Sequence, residues 1–281
     1  MPPRSTPRPK LLYVSDLAYP AKGRRYCDED IYLTKNLRPH FDLAICHPED
    51  AASLMANFDT VIVRNSGPVI DYPEAYANFR TQAKRTNHRI YNPLTGKADM
   101  AGKQYLVDLT TEGYPVIPTV DHREDLPRLP ASAEYVVKPK AGADSHGLEF
   151  VPHDALPARL NNTDTRDLLI QPKIDFEYEV SFYFVDHDFQ YALHAPDPAH
   201  RWELTACTPT PADLDFAQKF IDWNTLDHGI QRVDACRTKA GDLLLVELED
   251  LNPYLSLDRT SDETRQRFVK AMTDSIRRSL T

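Results

Sequence analysis

The sequence predicts an α/β fold: a parallel sheet with helices on its faces at the N-terminal end, followed by strand-rich α+β segments. Two observations carry this reading. Over the first ninety residues, short aliphatic runs alternate with helix-like stretches, the alternation that builds a parallel sheet. From residue 134 onward, strand-like runs follow one another across small turns, interrupted by one amphipathic helix and closed by another.

The elements can be justified in order. "KLLYVSDL" (10–17), "FDLAICHP" (41–48), "DTVIVRNSG" (59–67) and "HRIYNP" (88–93) are apolar runs bounded by turn residues. "CDEDIYLTKNL" and "PEDAASLMANF" between them carry acids at the front and apolar residues at helical spacing. Pro93 and Gly96 punctuate the chain and set a boundary near residue 95. A helix is expected from about Asp99 to Thr111, ended by Gly113 and Pro115, with a short strand after it. "AEYVVKPKAGADSHGLEFV" reads as two strands joined by a small-residue loop, and "RDLLIQPKIDFEYEVSFYFVDHDFQYALHAP" as a strand, a kinked link and two more strands. "PADLDFAQKFIDWNTL" places apolar residues at 214, 216, 217, 220, 221 and 223, an amphipathic helix. "GIQRVDACRT" and "DLLLVELEDL" are strands, and the last helix starts at Ser261 as N-cap with acids in its first turn.

The totals exclude several classes. With 281 residues, 41% hydrophobic and 27% charged, the chain is ordinary globular material with room for one large or two to three smaller cores. A formal charge of −9 argues against nucleic acid or an anionic membrane as the main partner. Cys27, Cys46, Cys207 and Cys236 are scattered without a CxxC pair, as expected of reduced thiols in a cytoplasmic protein. No run approaches the roughly 18 apolar residues of a membrane span. "MPPRSTPRPK" lacks an apolar centre and reads as a frayed tail, not a signal peptide.

The most informative stretch is "QRVDACRTKAGDLLLVELED", a hairpin with its turn at Ala240–Gly241. Symmetric pairing puts Asp234 opposite Glu247 and Arg232 opposite Glu249, all four on one face. Opposed carboxylates repel, so Asp234 and Glu247 need compensation. A divalent cation such as Mg²⁺ supplies it, with Asn252 offering a further oxygen. The competing reading is an edge hairpin whose acids Arg232 neutralises.

Other chemistry-bearing residues are less specific alone. Lys138 ends the run Tyr135-Val136-Val137 beside "AGADSHG", whose Gly142 and Gly147 let backbone N–H groups approach phosphate oxygens. The stretch is neither a Walker loop nor a dinucleotide fingerprint, and an ordinary hairpin turn explains it equally. Lys103 lies on the expected helix. The link at 171–174 reads either as an adenine-reading strand exit, with Glu179 reaching ribose, or as a proline-kinked strand. Tyr26, Asp28 and Glu29 follow the first strand, and their acids would suit a cationic amine. His146 and His194 are proton carriers or solvated loop residues.

Taken in order, Lys103, K-P-x-x-G-x-x-x-x-G at 138–147, L-I-Q-P-K-I with Glu179, R-V-D at 232–234 and E-L-E-x-x-N-P at 247–253 resemble the ATP-grasp superfamily. Within it, "VVKP", "VELEDLNPYLSL" and "YNPLTGKADMAGKQYLVDLTTEGYPVIPT" look closest to the cycloserine-forming and ribosomal-protein glutamate ligases. The resemblance covers residues 88–258 well and the first domain loosely. It implies a pre-ATP-grasp, substrate-binding domain at 1–95 and two subdomains, 96–170 and 171–281, that clasp ATP.

By this resemblance Lys103 and Lys138 hold phosphates with Gly142 and Ala143 of the loop, while Gln171, Lys173 and Ile174 line the adenine and Glu179 meets the ribose. Asp234, Glu247, Glu249 and Asn252 bind two Mg²⁺, with Mn²⁺ as a substitute. Arg232 stabilises the transferred phosphoryl, with Arg201 near the γ-phosphate. Arg64 and Ser66 face substrate. Glu249 departs from the asparagine of glutathione synthetase, and Asp144 and His146 depart from the usual glycine and serine of the loop. The implied activity is an ADP-forming carboxylate–amine ligase on amino-acid-like small molecules in natural-product biosynthesis, working through an acyl-phosphate, by ligation or cyclisation. The alternatives are a small-molecule kinase on the same fold and a nucleotide-binding protein without turnover. The expected partners are small-molecule substrates in the cytoplasm, with a homodimer as the alternative to a monomer.

Overall fold

The computed structural model describes residues 7–19, 25–64, 71–140, 147–161, 167–197, 200 and 203–281. In the N-terminal part, β1 (Lys10–Val14), α1 (Tyr26–Leu37), β2 (Asp42–Cys46), α2 (Ala51–Leu54), β3 (Thr60–Val63), α3 (Pro73–Thr86) and β4 (Ile90–Tyr91) alternate. Their strands form a parallel sheet in the order β2-β1-β3-β4. All four residues of β3 are buried, as in a strand covered on both faces. The expected helix at 48–58 is broken into α2 with a 3₁₀ turn on either side. Ser53 and Asn57 turn their side chains back onto the carbonyls of Asp50 and Leu54, competing with a longer helix. The sequence reading omitted α3, although Pro73 at its first turn and the buried spacing Tyr76, Phe79, Ala83 mark it.

The middle of the chain holds α4 (Tyr105–Thr111), β5 (Glu134–Pro139), β6 (Glu149–Pro152), α5 (Leu156–Leu160) and β7 (Leu168–Pro172). These strands make an antiparallel sheet, β6-β5-β7. β7 runs through the boundary expected at 170/171, so by sheet membership this unit extends to Pro172. The strand expected after Pro115 is reduced to single bridges, Val116 to Leu245 and Val120 to Ile170.

The last part comprises β8 (Phe176–Val185), β9 (Asp188–Ala195), β10 (Thr205–Cys207), α6 (Pro211–Asn224), β11 (Ile230–Thr238), β12 (Leu243–Glu249) and α7 (Asp262–Ser279). The strand order is β10-β9-β8-β11-β12, all antiparallel. One face of this sheet (Val180, Phe182, Phe184, Val233, Ala235, Leu245, Leu248) packs on α4 and α6. On the other, Tyr183, Val185, Tyr191, Leu193 and Ile230 join Leu11, Tyr13 and Leu33 of the first domain and Phe268, Met272 and Ile276 of α7. The rest of that second face is polar, and it carries the acids. Among the described residues no helix is long and apolar enough to cross a membrane.

The helix expected at 99–111 starts only at Tyr105, and Asp250 is the reason. The residue is fully buried, and its carboxylate accepts the amides of Ala98 (3.1 Å) and Met100 (2.7 Å) and the Asn224 side chain (3.1 Å). These bonds hold residues 98–100 as a turn, and Gly102 follows at φ +95°. Lys103 therefore precedes α4 instead of lying on it. Gly96 is the close-approach residue here: a Cβ would lie 2.1 Å from Asp250 Oδ2. Gly96→Ala is expected to cost about 2–3 kcal/mol of stability in denaturant titration, because the clash disturbs a buried carboxylate that has no other room. A change below about 0.5 kcal/mol would show that the linker relaxes freely.

Candidate active site

The hairpin of β11 and β12 pairs Arg232 with Glu249 and Asp234 with Glu247. A bulge between Asp234 and Ala235 then shifts the register, so that Ala235 faces Leu245. The turn closes with Thr238 bonded to Asp242 and Gly241 bonded to Thr238, both at 2.9 Å. The expected pairing thus holds at the acids because the bulge adds one residue to β12.

Arg232 is the hub of the cluster. Its guanidinium chelates Asp234 (Nε–Oδ1 3.0 Å, Nη2–Oδ2 2.8 Å), meets Glu249 Oε1 at 2.5 Å and donates to the Tyr254 carbonyl at 2.8 Å. Ser181 on β8 donates to Asp234 Oδ1 at 2.6 Å. The Lys103 ammonium is ion-paired to Glu247 and lies 3.3 Å from Asp99 Oδ2. Burial pushes the Glu249 carboxyl up to about 7; Arg232 pulls it back, while Asp234 and Asp99 push it further up. Burial works against the charge of Arg232, but Asp234 and Glu249 outweigh it and hold the guanidinium firmly protonated.

Four carboxylates therefore face two cations, Lys103 and Arg232, in half-buried surroundings. Carboxylate oxygens of Asp99, Glu247 and Glu249 lie within 4.8 Å of one another, and Asp99 Oδ1 is buried with no hydrogen-bond partner. An all-oxygen set with an unsatisfied member suits a hard divalent ion. Asp234 instead is turned to Arg232 and Ser181. Asn252 is half-buried, its amide nitrogen without a partner. Sequence reasoning missed Asp99, although its place four residues before Lys103 was a signal of pairing.

The nucleotide-facing candidates Lys138 and Gln171 sit on the neighbouring sheet. Half-buried Lys138 is the last residue but one of β5, opposite Leu169. Two residues on, the Lys140 carbonyl accepts the Lys103 amide at 3.2 Å, joining the two lysine segments directly. Gln171 is buried on β7 with its amide donating to Thr119 at 2.8 Å. Lys173 is exposed, its ammonium on the Glu134 carboxylate and 5.1 Å from the Phe150 ring centre. Ile174 and Glu179 are half-buried, and Glu179 shares the face of Ser181 and Asp234. Arg64 is 6% exposed, with its guanidinium turned inward onto Glu29 (3.2 Å) and the Pro253 carbonyl (2.7 Å). His194 lies against Tyr178 with ring centres 5.6 Å apart. Ser66, Gly142, Ala143, Asp144, His146 and Arg201 lie outside the described residues.

A parallel domain followed by two antiparallel sheets, with an acid of the last hairpin meeting Lys103 of the middle unit, is the ATP-grasp ligase fold, and this chain has it. No family model matches the chain. It is 26% identical to the cycloserine biosynthesis protein DcsG of Streptomyces lavendulae, over 83% of this chain and 88% of that protein. The crystal structure of D-cycloserine synthetase DcsG superimposes with a TM-score of 0.72 at 21% identity, covering 94% of this chain and 99% of the other. D-alanine–D-alanine ligase from Bacillus anthracis, solved with ATP, gives 0.65 at 13% identity over 96% and 97%. The ATP-grasp ligase PsnB, in complex with its precursor peptide PsnA2 and AMPPNP, gives 0.62 at 15% over 96% and 99%.

Proposed function

We propose that this chain is an ADP-forming ligase that joins a carboxylate to an amine on amino-acid-like substrates, in natural-product biosynthesis in the cytoplasm. The observation that carries the reading is the set Asp234, Glu247 and Glu249, gathered with Asp99 on one face beside Arg232 and Lys103, an excess of negative charge that magnesium nucleotide would offset. The similarity to a cycloserine biosynthesis protein supports the amino-acid-like substrate and the biosynthetic setting.

In this reading a carboxylate oxygen attacks the γ-phosphorus, the bond to the bridging oxygen breaks, and ADP leaves. The amine nitrogen then attacks the acyl carbon, the C–O bond to phosphate breaks, and the amine gives up a proton. Phosphoryl transfer needs positioning and charge neutralisation more than a side-chain nucleophile. Lys103 and Lys138 hold phosphate oxygens, and Arg232 neutralises charge on the transferred group. Asp99, Asp234, Glu247, Glu249 and Asn252 would hold two Mg²⁺, with Mn²⁺ as a substitute; when bound, the ions offset charge on the β- and γ-oxygens. Gln171, Lys173, Ile174 and Glu179 would line the nucleoside, and the loop "AGADSHG" with Arg201 would serve the phosphates. Ser66 is assigned to the substrate, whereas Arg64, expected beside it, is instead occupied by Glu29 and the Pro253 carbonyl.

The test is a screen of amino acids singly and in pairs for ADP and phosphate release, followed by mass spectrometry of the product. ADP with equimolar phosphate and an amide product supports the ligase. A stable phosphoester without free phosphate indicates a kinase, and no ADP with any mixture indicates a binder without turnover. Lys138→Ala is expected to lower ADP formation by at least about a hundredfold with thermal unfolding unchanged, because a phosphate contact is lost from an already folded strand end. Turnover within about twofold of wild type would remove Lys138 from the site.

A further inference from the structure

Residues 253–257, immediately after the acidic strand, are fastened at consecutive backbone atoms by different parts of the molecule. Arg64 of the first domain donates to the Pro253 carbonyl at 2.7 Å, and Arg232 donates to the Tyr254 carbonyl at 2.8 Å. The Leu255 and Leu257 amides donate to the two oxygens of Glu29 at 3.0 and 3.3 Å. Tyr191 donates to the Leu255 carbonyl at 2.7 Å. Ser256 sits between them at φ +51°, a left-handed conformation that a serine keeps only where its surroundings impose it.

Glu29 and Arg64 also hold each other at 3.2 Å, and both side chains are almost completely buried. Asp30 beside them is fully engaged by Tyr13 (2.6 Å) and Ser15 (2.5 Å), leaving Glu29 as the acid that faces the loop. Arg232's other partners are Asp234 and Glu249, candidate metal ligands themselves. Among the described residues, the Tyr254 carbonyl is the neutral acceptor that fixes Arg232 without competing for a cation.

We infer that Glu29 and Arg64 are a positioning pair: by clamping residues 253–257 from the first domain, they set the Tyr254 carbonyl and through it the guanidinium of Arg232. The phosphoryl-transfer arginine is then held in place by the substrate-side domain, not by its own sheet alone. The role given to Arg232 rests on the ligase reading; the coupling between the clamp and Arg232 does not.

The test has two arms. Hydrogen exchange is followed at the 254–257 amides in wild type, Glu29→Ala, Arg64→Ala and Arg232→Ala, with Glu29→Gln and Arg64→Lys as gentler versions in case an unpaired buried charge unfolds the protein. Coupling is mutual, so Arg232→Ala is expected to lower protection at Leu255 and Leu257 by at least about fivefold, although it touches neither amide. With the substrates from the screen, the Glu29 and Arg64 variants are expected to lose about a hundredfold in kcat. Their Kd for a non-hydrolysable ATP analogue is expected to stay within about twofold, and the double variant to lose no more than either single one. Unchanged loop exchange in Arg232→Ala overturns the inference. So does unchanged kcat in the Glu29 and Arg64 variants, or a rise in KM for the amine alone, which would put Glu29 on the substrate. If wild type forms no ADP, the ligase reading fails, while the exchange arm still decides the coupling.

Discussion

Glu247→Gln is expected to lower ADP formation by at least about a thousandfold while leaving thermal unfolding within a few degrees of wild type. Size and shape are conserved, so the hairpin has no reason to repack. What changes is charge. Glu247 is opposed to Asp234 across the sheet, pairs with the Lys103 ammonium and contributes one of the oxygens grouped with Asp99 and Glu249. Relief of the Asp234 repulsion and loss of the Lys103 pair act on stability in opposite directions, and Asp99 remains to hold the Lys103 ammonium. Catalysis has no such compensation, because an amide binds a hard cation far more weakly than a carboxylate does. Steady-state ADP release and a thermal melt check both halves. Activity within about tenfold of wild type would remove Glu247 from the metal set.

The second large effect falls on stability. Asp250→Ala is expected to cost about 3–5 kcal/mol, measured by denaturant unfolding, and to lower activity through displacement of Lys103. Asp250 is inaccessible to solvent, and burial pushes its carboxyl up to about 6, against the pull of the Met100 amide and with Asp99 pushing it further up. Its removal orphans the Ala98 and Met100 amides and takes one of two acceptors from the Asn224 side-chain amide, which keeps Gln231. Asp250→Asn, which keeps an acceptor oxygen, is expected to recover about half of the loss. A cost below about 1 kcal/mol for the alanine variant would mean that water enters and satisfies the turn.

The two residues show where sequence reasoning reaches its limit. Strand alternation alone places Glu247 and Glu249 on one face, and the charge opposite them follows from the turn position. The register holds at Asp234 although the turn is offset, because the bulge beyond it contributes the missing residue. The same alternation puts Asp250 on the opposite face, toward the apolar core. A buried carboxylate is a demand for donors, and strand alternation makes that demand legible in the residues themselves. Which donors answer it is not legible there: Ala98 and Met100 lie about 150 residues away in sequence, and local helix propensity at 99–104 points elsewhere. Asp99 is hidden by the same local signal. Glu29 and Arg64 read as solvent- or substrate-facing because nothing local to either says that residues 253–257 will close over them.

The shared core of the first domain and α7 has a consequence for biogenesis. Leu11, Tyr13 and Leu33 are made well before Phe268, Met272 and Ile276, which cover them. The first sheet must therefore wait with one apolar face exposed until those residues are made, an interval in which chaperone binding or aggregation competes with folding. Contacts between such distant segments also place the molecule among slow folders, and truncation before α7 would leave that face permanently open to both hazards.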